Sequence, residues 1–198
     1  ALASEGIVDL TGIENFIALE SLNCSENQLT TLDLSNNYAL LSVDCSMNQL
    51  SSMDISNATN LVELNCYENQ LQELDLTNNE ALIYLHCQDN LLTTISINNS
   101  ISLEELMCQN NLLTSLNLSN NISLTQLRLT DNQLSSLDLS NNSSLFQVFL
   151  EVNQLLSLDI RNGNNLNMLV YTVDNFDLTC IDVDDTTFAA TNWSSDSW

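Results

Sequence analysis

Residues 61–81 read LVELNCYENQLQELDLTNNEA. Apolar and polar residues alternate around Leu64 and again around Leu74, the period of two short strands that each turn one face inward. Much of this skeleton recurs with a spacing of 21 residues: Cys24, Cys45, Cys66, Cys87 and Cys108 share one phase, and Leu129, Leu150 and Tyr171 continue the column. A second column holds Asn27, Asn48, Asn69, Asn90, Asn111, Asn132 and Asn153, with Asp174 at its end. The frame is LxxLx(C/L)xxNxLxx(L/I/M)x(L/I)xxNxx. Residues fixed by the frame build the fold, and residues free within it carry recognition.

A single coil would leave its leucines wet. Coils stacked about 4.8 Å apart as parallel strands bury them in one continuous core. The asparagine column then becomes a ladder of buried amides, which must find partners among the turn carbonyls and amides of neighbouring coils. The second half of each repeat, "LDLSNN", is too short for a helix and two corners, so it is expected to be a short strand or extended turn. Such a thin back predicts a flat, weakly curved solenoid about 40 Å long. With three glycines and no proline, the turns fall to Asn, Asp and Ser.

The chain of 198 residues is long enough for one sizeable core. Twenty-six acidic residues face two arginines and no lysine, a formal charge of -24. Nucleic acid and anionic membrane surfaces are therefore poor partners, since neither can release counterions to this chain. The apolar stretches are only a few residues long, so neither a membrane-spanning helix nor a signal peptide is expected.

The repeated LxxLxCxxNxL resembles the leucine-rich repeat family, specifically the secreted or surface-anchored bacterial arrays that include internalin-like proteins. The resemblance covers about residues 7–181. "DLTGIENFIALESL" resembles the lead into such arrays and "LTCIDVDDTTFAATNW" their closing segment. It implies a mainly β leucine-rich repeat solenoid of about eight coils with a parallel sheet on its open face. The implied divisions are a cap at 1–18, the array at 19–181 and a C-terminal cap at 182–198. Tyr171, Thr172 and Asp174 depart from the pattern, so the last coil is expected to be a cap, with Trp193 covering its end. The resemblance further implies a monomeric, non-catalytic module for protein binding or adhesion at a bacterial surface.

Six cysteines in a secreted chain ordinarily suggest disulfides. Here five of them occupy a core position that leucine takes elsewhere, and parallel side chains one rung apart make poor disulfide geometry. A reduced structural ladder is expected, with Cys180 outside the phase. Asp33, Asp54, Asp75, Asp138 and Asp159 share another phase, interrupted by Ser96 and Asn117. Carboxylates about 5 Å apart repel by roughly 1 kcal/mol in water, so these must be solvated, hydrogen-bonded to nearby Ser and Thr, or bridged by a cation. No cofactor is otherwise expected; calcium is the open alternative, at this column and at Asp182, Asp184 and Asp185.

The free positions of the first strand line the open sheet. One column runs Asn23, Asp44, Asn65, His86, Met107, Arg128, Phe149, Val170. Its neighbour runs Ser21, Ser42, Glu63, Tyr84, Glu105, Gln126, Gln147, Met168, and the column after holds Tyr67, Gln88, Gln109, Thr130 and Glu151. Aromatic, Met and Arg side chains are enriched at binding hot spots. Tyr67, Tyr84, His86, Glu105, Met107, Arg128 and Phe149 are therefore the candidate ligand-binding residues. A protein partner is the first reading. A glycan is the second, because Tyr and Phe can stack on sugar rings, and a structural spacer is the third. Glu63 and Glu105 stand two rungs apart, near the separation an inverting glycosidase needs, but an open wet face offers nothing to raise either pKa.

Overall fold

Alternation within each coil becomes strand pairing between coils. In the computed structural model, which describes residues 1–187 and 189, fifteen strands of three residues each run in chain order as β1–β15. Eight of them pair parallel into one sheet: β1 (Ser21–Asn23), β3 (Ser42–Asp44), β5 (Glu63–Asn65), β7 (Tyr84–His86), β9 (Glu105–Met107), β10 (Gln126–Arg128), β12 (Gln147–Phe149) and β14 (Leu169–Tyr171). The other strands form the opposite side in three short parallel groups: β2 (Thr31–Asp33) with β4 (Ser52–Asp54), β6 (Glu73–Asp75) with β8 (Thr94–Ser96), and β11 (Ser136–Asp138) with β13 (Ser157–Asp159) and β15 (Cys180–Asp182). No helix occurs between residues 19 and 181, and among the described residues none is long and apolar enough to cross a membrane. Trp193, expected to cover the end of the array, lies outside the described residues.

The middle residue of each open-face strand points into the core, so Leu64, Leu85, Leu106 and Leu127 are fully buried, as are all five in-phase cysteines. The thiols are free. Burial pushes Cys24 up to about 12 and Cys45 and Cys66 well above the ordinary thiol range; a Cys108 contact and burial do the same for Cys87. Such thiols stay protonated and unreactive. The N-terminal residues extend the stack, with Leu2 and Ser4 N–H groups donating to the Asn23 and Ser25 carbonyls at 2.7 and 3.0 Å.

Each ladder asparagine ties two coils together. Asn69 Nδ2 donates to the Cys66 carbonyl of its own coil and the Cys45 carbonyl of the coil before, both at 3.1 Å, while its Oδ1 accepts the Leu50 N–H at 2.9 Å. The residue preceding it sits in the left-handed region in every coil: Glu26, Met47, Glu68, Asp89, Asn110, Asp131, Val152 and Asp174 have φ between 51° and 62°. That turn aims the amide inward. It is built without glycine, against the usual preference, because inter-coil hydrogen bonds such as Val152 N–H to the Val173 carbonyl at 2.9 Å hold it.

The last coil departs from the expected phase. Phe149 pairs with Tyr171, Val148 with Val170 and Gln147 with Leu169, so the step from β12 to β14 is one residue longer than the repeat. The extra residue is absorbed in the Arg161–Asn167 turn, where Gly163 takes φ 79°. Three assignments change. Tyr171 leaves the inward column for the open face, Val170 takes the inward place of Val148, and Asn175, not Asp174, ends the asparagine ladder: its Nδ2 reaches the Leu150 and Thr172 carbonyls at 2.9 Å. The coil is thus a regular member of the sheet. Cys180 also gains a place, opposite Ser157 in β15, where it is exposed.

Asn69→Ala leaves the buried Leu50 N–H without an acceptor and takes one of two amide donors from each of the Cys45 and Cys66 carbonyls, which keep Asn48 and Asn90, so urea unfolding should show a loss of about 2 kcal/mol, against less than about 0.5 for the exposed Asn57→Ala. Val152→Gly relieves a β-branched residue from a left-handed turn and should raise stability by about 1 kcal/mol in the same measurement.

Candidate ligand-binding face

The eight-stranded sheet presents the first and third residues of every strand to solvent, because its middle residues are in the core. All seven candidate residues lie on or beside this face. Their contacts divide it into zones. Toward the N-terminus it is small and polar: Asn23 Nδ2 donates to Asp44 at 3.2 Å, and Ser46 Oγ donates to Asp44 at 2.6 Å. In the middle, His86 Nε2 and Glu105 Oε1 lie 2.8 Å apart, with Tyr84 in register with Glu105 and Met107 in register between His86 and Arg128. Tyr84 is 40% exposed, while Tyr67, Met107 and Arg128 are half-buried.

The C-terminal zone is a stack. The Arg128 guanidinium carbon lies 4.4 Å from the Phe149 ring centroid, and the Tyr171 ring lies 4.8 Å beyond at an interplanar angle of 7°. Three parallel side chains on successive rungs thereby form a cation–aromatic–aromatic row. Leu169, 50% exposed, and Tyr171, 41% exposed, extend this zone in place of Met168 and Val170. Met168 is buried. Neither Leu169 nor Tyr171 could be assigned by a strict 21-residue count; the "NG" at 162–163 was the signal of an altered turn.

Several polar atoms on this face are buried without a hydrogen-bond partner: Asn65 Oδ1, Gln88 Oε1, Gln109 Oε1 and Arg128 Nε. Glu63 Oε2 accepts from Ser42 Oγ at 3.3 Å and Glu105 is held by His86, so the two carboxylates weighed as a glycosidase pair are each engaged locally.

No protein-family model matches the sequence, and no curated protein matches it. Solved structures do match. A leucine-rich repeat protein of Leptospira interrogans aligns with a TM-score of 0.74 at 24% identity, over 90% of this chain and 47% of that one. An internalin of Listeria monocytogenes aligns with a TM-score of 0.70 at 24% identity, over 89% and 58%. YopM of Yersinia enterocolitica aligns with a TM-score of 0.66 at 26% identity, over 84% and 37%. The fold is a leucine-rich repeat solenoid. The chain spans about half the length of the first two solved structures and less of the third.

The aspartate column on the back of the leucine-rich repeat serves the turns that follow the second strand. Asp33, Asp54 and Asp138 each accept the N–H of the serine two residues on, at 2.9, 3.0 and 2.9 Å, and Asp75 accepts both the N–H and the hydroxyl of Thr77 at 3.0 and 2.7 Å. Asp159 accepts the Arg161 N–H at 3.0 Å and also pairs with its guanidinium. Asn117 does the same for Ser119 at 3.0 Å, which explains why an amide interrupts the column without breaking the coil. Among the described residues no three His, Cys, Asp or Glu side chains are grouped closely enough to hold a metal ion.

Hydrogen bonds from Ser35, Thr77 and Arg161 hold Asp33, Asp75 and Asp159 below the ordinary carboxylate range. A lowered native pKa gives stability that is present above the unfolded value near 3.9 and disappears as pH falls through the native one. Asp33→Asn combined with Asp75→Asn keeps the acceptor oxygen and removes the titration. Denaturation midpoints measured between neutral pH and about pH 3 should therefore fall less for this variant than for the wild type.

Proposed function

We propose that the open face is a non-catalytic recognition surface for a protein partner, in a bacterial protein that acts in adhesion at the cell surface or after secretion. The observation that carries this reading is the row Arg128–Phe149–Tyr171, next to the half-buried Met107 and with the exposed Tyr84 farther along the sheet. Arginine, tyrosine and methionine on a rigid sheet offer contact area with little conformational entropy left to lose. The likeness of the solenoid to an internalin agrees with a surface role.

A glycan is the weaker reading for a specific reason. Phe149 has Arg128 against one face and Tyr171 against the other, so it keeps no free ring face for a sugar. The reading needs no cofactor, and calcium is not part of it.

The test is capture of biotinylated surface proteins from host or neighbouring cells, run beside a glycan array, with wild type and a Tyr84→Ala, Phe149→Ala, Tyr171→Ala variant. Capture by the wild type, a loss of tenfold or more in the variant at an unchanged unfolding midpoint, indifference to a calcium chelator and a blank glycan array are expected. Undiminished capture by the variant removes the open face from the function, and a glycan hit lost in the variant replaces protein by sugar.

A further inference from the structure

The two arginines are treated oppositely by the fold. Arg161 lies against Asp159, with Asp182 at 3.8 Å. Arg128 has no carboxylate within ion-pairing distance among the described residues, in a chain that carries 26 acidic side chains. The acids on the adjoining rungs are occupied. Glu105, in the strand before, is held by His86 at 2.8 Å, and Glu151, in the coil after, accepts the Thr130 hydroxyl at 2.8 Å. Arg128 Nε is buried and has no partner at all.

Stacking does not use the guanidinium donors. Phe149 takes the flat face at 4.4 Å, while the N–H groups lie in the plane of the group and stay directed away from the ring. Nε itself is closed to solvent, so the donors left for a partner are those of the two terminal nitrogens, and a planar pair of NH2 groups matches a planar acceptor with two oxygens, which is a carboxylate. A carboxylate arriving there meets Glu105 and Glu151 about one rung away, a repulsion of roughly 1 kcal/mol each in water, which a bidentate pair on a partly desolvated arginine exceeds.

We infer that Arg128 is the docking point for a single carboxylate on an extended polypeptide segment of the partner whose flanking residues are basic. The inference rests on the open face being the binding surface. The basic flanks follow from charge: Glu63, Glu68 and Asp89 stand exposed on the coils before Arg128, and the net charge of -24 repels a partner rich in acids. Glu63 and Arg128 are three rungs apart, about 14 Å, which an extended chain covers in about four residues. The partner thus places a lysine or arginine about four residues from its carboxylate.

The probe is a synthetic peptide with one central glutamate and lysines about four residues to either side. A second peptide carries glutamine in place of that glutamate. Affinities for wild type, Arg128→Gln and Tyr84→Ala/Tyr171→Ala proteins are measured by fluorescence anisotropy at low salt, with unfolding midpoints as the check on folding. Replacing the glutamate should weaken binding to wild type about tenfold and leave binding to Arg128→Gln unchanged. Free acetate and glucuronate should not compete.

If the two peptides bind wild type equally, or Arg128→Gln weakens both to the same extent, the carboxylate contact is wrong although the face can still bind. Competition by glucuronate or acetate at the strength of the peptide assigns the site to small acids instead. Absence of peptide binding, or binding unchanged in Tyr84→Ala/Tyr171→Ala, overturns the inference together with the face on which it rests.

Discussion

The asparagine ladder is the constraint on which the rest depends. A coil of this length has no internal strand pairing of its own, so its backbone groups at the inner turn must be satisfied from the neighbouring coil or from a side chain. One amide does both. Asn90, for instance, reaches the Cys66 and Cys87 carbonyls at 3.0 and 3.2 Å while accepting the Leu71 N–H at 3.0 Å. Because an unpaired buried donor or acceptor costs on the order of 1–3 kcal/mol, sliding one coil relative to the next is prohibitive, and the register is locked.

A locked register turns a repeat into a surface. Once Leu85 stacks on Leu64 and Leu106 on Leu85, the residues on either side of each fall into straight columns without further instruction. The recognition face inherits rigidity from below. Arg128, Phe149 and Tyr171 stack because their strands are held in register by the ladder, with the left-handed turn in front of each amide keeping the amide in place. Side chains arranged this way arrive at a partner already ordered, which is the condition under which contact area becomes affinity.

The chemistry of the fixed positions is quiet by design of the environment. The thiols lie in an apolar core that disfavours the thiolate, so five cysteines act as small hydrophobes. The back-face aspartates spend their acceptor oxygens on the turns that follow them. Outside these fixed positions lie the exposed and half-buried side chains of the open face, Tyr84, Arg128 and Tyr171 among them, and the exposed Cys180 thiol of β15.

The sequence by itself determined the solenoid, the parallel sheet, the reduced thiols and the columns of the open face as far as Phe149, because a repeat in strict phase leaves only one way to bury Leu, Cys and Asn together. It also placed the aspartates near Ser and Thr, without saying which groups they bind. The tertiary structure decided what strict counting could not. One residue inserted near Gly163 shifts the last coil, and the partners across the sheet, not the distance along the chain, then choose Tyr171 for the face and Asn175 for the ladder. Pairings such as His86 with Glu105, and the isolation of Arg128, also belong to tertiary structure. They depend on side-chain reach between coils, and a column of letters holds positions but not the distances between atoms.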